Sequence, residues 1–339
     1  MRAAVAELAR LQFNTLYPVV WNGYAWYASE VTQRRGLQHF TPRGLQGQDT
    51  LAELVAEAHA RGLLVVPWFE FGFMATPGME IATRHPDWLT RRRDGGLPSI
   101  SAAGEVAWLN PFRPEVQQLI TDLVLEIVAT SGAAGIQFDD HRSLPSARHR
   151  PPRPRHPQDP AWLQWRADQL TAFMARLHQA VKAQQPDALV SLSPNHHDFA
   201  HKRQLQHWRA WVRRGFVDEL LVQLYRPDLE SFTAELQRPE LAESLARIPV
   251  AIGITTGPRT RPVPIALVTA QAEAARARGL GVAFFPFETL WQRSEEPAVL
   301  RQEALGRLFV EPQLRPRPTP SPGPSPGSAP SVDAVPEAG

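Results

Sequence analysis

The chain has 339 residues, 36 Lys and Arg against 34 Asp and Glu for a formal net charge of +2, and no cysteine. So even a charge balance carries no nucleic-acid signature, the lack of cysteine removes disulfides, Cys-ligated zinc, iron–sulfur clusters and thiol nucleophiles, and no apolar run is long enough to span a bilayer. The length suits two average domains or one large α/β barrel with a substantial core.

Residues 1–16 carry Arg2, Glu7 and Arg10 where an export signal needs an unbroken apolar run. As written the chain is therefore expected to be cytoplasmic, or periplasmic or extracellular if its start is truncated. A helix is predicted over 3–11 and a strand over 13–20 (FNTLYPVV). From residue 49 helical and strand patterns alternate with short connections, the mark of βα units around a parallel sheet. Asp49 is a predicted N-cap, with Leu51, Leu54, Val55 and Ala58 on one helix face, and 63–71 (LLVVPWFEF) follows as a strand apolar on both faces. Pro114 opens the next helix, whose stripe is Val116, Leu119, Ile120, Leu123 and Ile127. Its strand is 135–139.

Asp159-Pro160 starts a long helix with Leu170, Phe173, Met174, Leu177 and Val181 on one face, leading to a strand over 189–194. Further strands are predicted over 217–225, 250–255 and 281–287, with a last helix over 297–309. Three helices end on Arg-Gly, at Arg61-Gly62, Arg214-Gly215 and Arg278-Gly279, where a cation meets the negative helix end and glycine supplies a left-handed cap. The pattern totals seven strands and eight helices. Seven strands is one short of a TIM (β/α)8-type barrel, and the chain begins inside a helix, so the first strand is read as missing. The strands over 13–20 and 281–287 should then flank a gap. The division is a barrel over 1–311 and a Pro/Ser/Gly-rich tail over 312–339, expected to be disordered. Residues 142–157 form a basic, proline-rich stretch, read as a solvated linker or as an attractor of anionic glycan.

The most informative residues are 135–141 (GIQFDDH), where an apolar strand runs into two adjacent carboxylates. A carboxylate at the end of a buried strand is costly to desolvate and is normally kept for chemistry or for a specific hydrogen-bond network. The bland alternative is a pair of turn caps. Alternation puts Gln137 and Asp139 on the face turned to the barrel interior and Ile136, Phe138 and Asp140 on the other. In a barrel, function sits at the C-terminal strand ends, and those ends are polar here: Trp21-Asn22, Glu70, Asp139-Asp140-His141, Asn195-His196-His197, Gln223 with Tyr225, Thr255-Thr256, and Glu288 ahead of Trp291. Carboxylates facing a pocket among amides and indoles suit cleavage of a glycosidic bond, in which one acid protonates the leaving oxygen and another attacks or activates water. With ten Trp against four Tyr, indole platforms for sugar rings are plentiful. A metal-dependent hydrolase built on His141, His196, His197 and Asp198 is the competitor. It is weakly supported, because adjacent histidines point apart and no His-x-His pair occurs.

Seven blocks carry a further signal: FNTLYPVVWN (13–22), DTLAELVAEAHARGLLVVPWFEFGFM (49–74), HPDWLT (85–90), WLNPFRPEV (108–116), GIQFDDH (135–141), SLSPN (191–195) and FFPFETLW (284–291). Together they resemble the glycosyl-hydrolase-like 10 family, cyanobacterial-type members above all, over most of residues 11–308. The resemblance implies a TIM-barrel glycosidase, with some relatives acting on peptidoglycan glycan strands stripped of peptides. It points to Asp139 and Asp140, with Glu70 and Glu288, as catalytic residues. Two departures stand out: the family's opening Gly-Val-Trp-Leu strand has no counterpart, and Arg142 with the basic stretch follows Asp-Asp-His where the family has an aromatic and a longer loop.

The resulting expectation is a glycosidase cleaving a polysaccharide or glycan with no metal or organic cofactor, or else a catalytically weakened carbohydrate-binding barrel. Asp139 is expected as nucleophile or base, Glu70 or Glu288 as acid, and Asp140 as support. Trp21, Asn22, Trp68, Asn110, His141, Asn195, Gln223, Tyr225 and Trp291 are the expected sugar contacts. The sequence does not specify an oligomeric state.

Overall fold

The computed structural model describes residues 1–37, 48–91, 96, 99–101, 104–141, 159–257 and 262–315. The basic stretch over 142–157 and the tail from residue 316 onward lie outside the described residues.

Seven parallel strands form one curled sheet: β1 (Val19–Trp21), β2 (Trp68–Phe69), β3 (Gly135–Asp139), β4 (Leu189–Ser193), β5 (Glu219–Gln223), β6 (Val250–Thr255) and β7 (Gly281–Phe285). They pair in chain order, each with its sequence neighbours. Helices α1 (Arg2–Arg10), α2 (Thr50–His59), α3 (Pro114–Thr130), α4 (Pro160–Gln184), α5 (His197–Gln204), α6 (Trp208–Arg213), α7 (Ile265–Arg276) and α8 (Ala298–Leu308) are among those that flank it. The edges are β1 and β7, which do not pair with each other, so the barrel is open along a seam where a closed barrel would hold one more strand. Exposure follows from this: all five residues of β3 are buried, whereas β7 is half-buried or exposed throughout. Lower in the seam, the rings of Phe13, Phe284 and Phe309 meet edge to face with centroids 5.7–6.2 Å apart.

Local sequence accounts for the elements. The Asp49 carboxylate accepts from the amides of Leu51 and Ala52, and Asp159 from that of Trp162. Gly62, Gly215 and Gly279 hold φ of 73°, 70° and 72°, the left-handed caps that the Arg-Gly pairs predict. The stripe Val116, Leu119, Ile120, Leu123 and Ile127 on α3 is fully buried, each side chain contributing about 1.5–3 kcal/mol of transfer free energy. The predicted strands over 13–20 and 63–71 each appear as two short pieces, Thr15–Leu16 then Val19–Trp21 and Leu64–Val65 then Trp68–Phe69. Pro18 and Pro67 sit at the breaks, where a missing N–H interrupts the ladder. Nothing in the sequence pattern predicts the three-stranded antiparallel sheet of Met74–Ala75, Ser99–Ser101 and Gly104–Trp108, whose strands are too short to show a period.

Two layers sandwich the sheet. On the helix side, Trp21 stacks on Phe69 at 5.6 Å and Phe69 meets Phe138 at 6.0 Å. On the interior side runs a polar chain. Gln137 donates to Ser191, Ser191 and the Tyr17 hydroxyl donate to Glu219, and Arg315 pairs with Glu219. The interior is thus hydrogen-bonded beneath the strand ends, as buried polar groups require. Asn14 also donates to the carbonyl of Gln313, so the chain remains engaged with the barrel through residue 315.

Gly135 shows how tightly β3 and β4 approach. A methyl group there would lie 2.1 Å from the carbonyl oxygen of Leu189. Gly135→Ala is expected to destabilise the fold by about 1–3 kcal/mol, read as a lower denaturation midpoint with an unchanged slope. An unchanged midpoint would mean that the two strands can separate freely.

Candidate active site

The register of β2 on β3 sets Phe69 beside Phe138, so the next residue on each, Glu70 and Asp139, emerge side by side at the C-terminal ends. Asp139 turns inward with Gln137 and is buried. One of its oxygens accepts from the backbone N–H of His141 at 2.9 Å. The other accepts from Trp68 Nε1 at 3.2 Å and faces His141 Nδ1 at 3.2 Å. Asp140 points to the opposite face, where Asn195 Nδ2 and Gln204 Nε2 both donate to Oδ2 at 2.9 Å. The side chain of Asp139 is 3% exposed and that of Asp140 20%.

Glu70, Asp139 and His141 titrate as one cluster. Burial is the main cause that pushes the Glu70 carboxyl up to about 7, repulsion from Asp139 adding to it while His141 and the Asn22 side chain pull the other way. Burial likewise lifts Asp139 to about 6, against the pull of His141. For His141, burial opposes the charge, but Asp139, Asp140 and Glu70 outweigh it and raise the imidazole to about 10. At neutral pH the cluster therefore holds an imidazolium, ionised aspartate and a Glu70 that is part protonated, the divergence of environments that separates an acid from a base. Asp139, Asp140 and His141 offer ligand atoms within 4.8 Å of one another, a spacing that a cation could bridge.

The segment after β4 holds the cluster in place, and this went unread in the sequence. Gln204, at the end of α5, donates to Asp140, and Gln206 donates to the backbone carbonyl of Asp139 at 2.7 Å. Leu205 between them is buried and left-handed, with φ of 62°, a conformation costing a non-glycine residue about 1–3 kcal/mol. The strained turn aims both amides at the acid strand. A side chain other than Gly or Asn gives no sequence signal for such a turn.

Tyr225 stacks on Phe285 at 6.2 Å, and Phe285 meets Trp68 edge to face at 5.6 Å. Tyr225 and Phe285 are 38% and 41% exposed, so the pair presents aromatic surface beside the acids. Burial first, then the charges of Asp140 and Asp139, raise the Tyr225 hydroxyl far above its ordinary value, keeping it a neutral donor.

Of the other expected contacts, Asn22 accepts from Trp26 Nε1 besides touching Glu70, and Asn195 lies at Asp140. Gln223 donates instead to the carbonyl of Ser193, and the Asn110 side chain caps its own turn by accepting from the N–H of Phe112. Trp21 and Trp291 depart from expectation: they are 2% and 7% exposed, Trp21 on Phe69 and Trp291 against Phe287 at 5.3 Å. They are core, because the apolar layer under the helices claims their large rings. Glu288 sits half-buried in the 3-10 turn Phe287–Thr289. The shifts at Glu70, Asp139 and His141 trace first to burial and then to one another, Asp140 and Asn22. His196 and His197 open α5 and do not join His141. A cavity of about 450 Å³ lined by Tyr27, Arg34, Asp122 and Glu126 lies on the outer face, away from the strand ends.

The family model of glycosyl hydrolase-like 10 matches residues 1–274. Glycosyl hydrolase DigH of Escherichia coli (strain K12) is 25% identical over 258 residues, 65% of this chain and 56% of that protein, so the chain spans about half the length of the curated relatives it matches. Among solved structures, the PgaB (BpsB) glycoside hydrolase domain from Bordetella bronchiseptica superposes with a TM-score of 0.66 at 14% identity, covering 90% of this chain and 92% of that one. Alpha-L-fucosidase isoenzyme 2 from Paenibacillus thiaminolyticus gives 0.59 at 15% identity, covering 91% and 46%. These neighbours are glycoside hydrolases and bear out the barrel-type fold; at such identities they speak for fold alone. With the match running over most of its length, the chain belongs to the glycosyl hydrolase-like 10 family.

Proposed function

We propose that residues 1–311 form one glycoside hydrolase unit that cleaves O-glycosidic bonds of a polysaccharide or glycan, with Glu70 as proton donor and Asp140 as the carboxylate acting on the anomeric carbon, directly or through water. The observation that carries this reading is the presence of two carboxyls in unlike settings at adjacent strand ends: Glu70 after β2, pushed up to about 7 chiefly by burial, and Asp140 just past β3, which accepts two amide donors and stays partly exposed. One can give a proton while the other lies open to the anomeric carbon or to a water, the two roles that glycoside hydrolysis requires. Asp139, buried and saturated with donors, suits a positioning role that holds His141 charged. This reverses the expectation from strand alternation alone, under which Asp139 is the reacting residue.

The glycan strands of peptidoglycan are the first substrate to test, alongside a panel of glucans, with released reducing ends as the measurement. No metal enters the proposed steps, so enzyme dialysed against EDTA should still release reducing ends. Release by the native chain that is lost in Asp140→Asn supports the reading. Tight glycan binding with no release from any substrate would replace it with a carbohydrate-binding barrel.

Tyr225 and Phe285 fit a sugar face better than the buried indoles do. Phe285→Ala should raise KM roughly 3- to 10-fold through lost stacking and leave kcat nearly unchanged. A fall in kcat at constant KM would move Phe285 from binding to the reacting centre.

A further inference from the structure

Outside the acid cluster, the segment that clamps it carries three histidines used by none of the chemistry above. His197 and His201 lie one turn apart on the same face of α5, the spacing that brings two side chains together. The left-handed turn at Leu205 then folds the chain back so that His207, which caps the start of α6, meets them. The ring centroids of His201 and His207 are 4.3 Å apart, and His197 is 5.5 Å from each. One ligand nitrogen from each of the three lies within 4.8 Å of the other two.

Two imidazole nitrogens are buried without a partner among the described residues. Nε2 of His197 and Nε2 of His201 are shut off from solvent and form no hydrogen bond there, whereas buried polar atoms are nearly always satisfied. Trp208 closes one side, its ring 5.2 Å from His197 and perpendicular to it. Burial is the chief cause holding all three imidazoles below their ordinary value, which leaves neutral rings with free lone pairs. The charged groups around them are mixed: Arg209, Arg213, Arg214 and Lys202 against Asp168 and Asp198.

We propose that His197, His201 and His207 form a binding site for a divalent transition-metal ion of the zinc type. Three imidazoles are a recurrent ligand set for Zn²⁺, which leaves a fourth tetrahedral position for water. Bonds of about 2.0–2.1 Å would require the nitrogens to close to about 3.4 Å, a movement within reach of side-chain rotation. The ion would satisfy both orphaned nitrogens. It would also tie His201 to His207 across the turn that carries Gln204 and Gln206, the donors to Asp140 and to the Asp139 carbonyl. In the sequence only His197 and His201 stand at a helical spacing; the third ligand, His207, is brought in by the left-handed turn at Leu205.

The test uses the full chain dialysed against EDTA and then titrated with ZnCl₂ by calorimetry, with CoCl₂ as a spectroscopic probe. The expected results are one ion per chain, a higher melting temperature with Zn²⁺, and a Co²⁺ absorption spectrum of four-coordinate type. His201→Gln and His207→Gln should each weaken binding about 100-fold or more, while His196→Gln should not. Absence of stoichiometric binding overturns the proposal, as does binding that survives His201→Gln/His207→Gln or that is removed by Asp139→Asn instead. Should the histidine variants misfold, X-ray absorption on the Zn²⁺-loaded native chain counts the imidazole ligands directly, and fewer than three refutes the site. Glycan release by the EDTA-dialysed chain scores the glycosidase reading separately, whereas binding removed by Asp139→Asn would place the ion on the acid cluster and count against both.

Discussion

Asp140→Asn is expected to lower turnover by about three or more powers of ten while leaving folding and glycan binding intact. The amide keeps the shape and can still meet Asn195 or Gln204, but it removes the charge that must face the anomeric carbon. Asp139→Asn should cost less, about one to two powers of ten, because the buried carboxylate acts through His141 and Trp68. Its signature should be a fall in the His141 pKa, since the Asp139 carboxylate is the leading cause of the imidazole's upward shift against burial. Histidine resonances followed by NMR would show this. If Asp139→Asn abolished turnover while Asp140→Asn retained it, the assignment from strand alternation would stand and the one from exposure would fall.

That contrast marks where sequence stops being informative. Alternation correctly places Asp139 with Gln137 inside and leaves Asp140 on the other face, because a strand has a period of two whatever surrounds it. What it does not carry is accessibility. Asp139 is covered by Trp68 and His141, and Asp140 is left partly open by a rim built from distant segments. The seven strands were legible from apolar runs between glycine and proline punctuation, and the open seam from the strand count. Pro18 and Pro67 stand in the sequence, but whether a missing N–H breaks a ladder depends on which edge faces a neighbouring strand, and that is set by the fold. Glu70 was legible as a strand-end acid; its raised pKa depends on burial and on Asp139 across a strand pair, which no local pattern encodes. The same limit explains Trp21 and Trp291. An indole at a strand end can face sugar or core, and only packing decides.

Gln204 and Gln206 show the limit most plainly. Their contacts to Asp140 and Asp139 span 64 and 67 residues of chain and depend on a leucine in a left-handed conformation. Propensity argues against such a turn, so no local pattern singles out the residues that hold the acids. The strain there is held by hydrogen bonds on both sides of the turn: the Leu205 and Gln206 N–H groups donate to the carbonyls of His201 and Ala200, and the Gln204 and Gln206 side chains donate to Asp140 and to the Asp139 carbonyl.

Glu70→Gln should lower kcat/KM by about two to four powers of ten on substrates with a poor leaving group, and it carries a second signature in the pH profile. The native enzyme needs Glu70 protonated. As pH rises through about 7 the proton is lost and activity should decline with it; below that pH the acid is loaded. The buried Asp139, raised to about 6 by the same burial, titrates next to it, so the two steps belong to the coupled pair. In Glu70→Gln the alkaline limb should vanish, because no group with that pKa remains in the donor position. Replacing the sugar leaving group with a nitrophenolate, which needs little protonation, should recover most of the lost rate in this variant and little of it in Asp140→Asn. A Glu70→Gln enzyme that kept both the native rate and the alkaline limb would assign proton donation elsewhere, with Glu288 next in line at the rim.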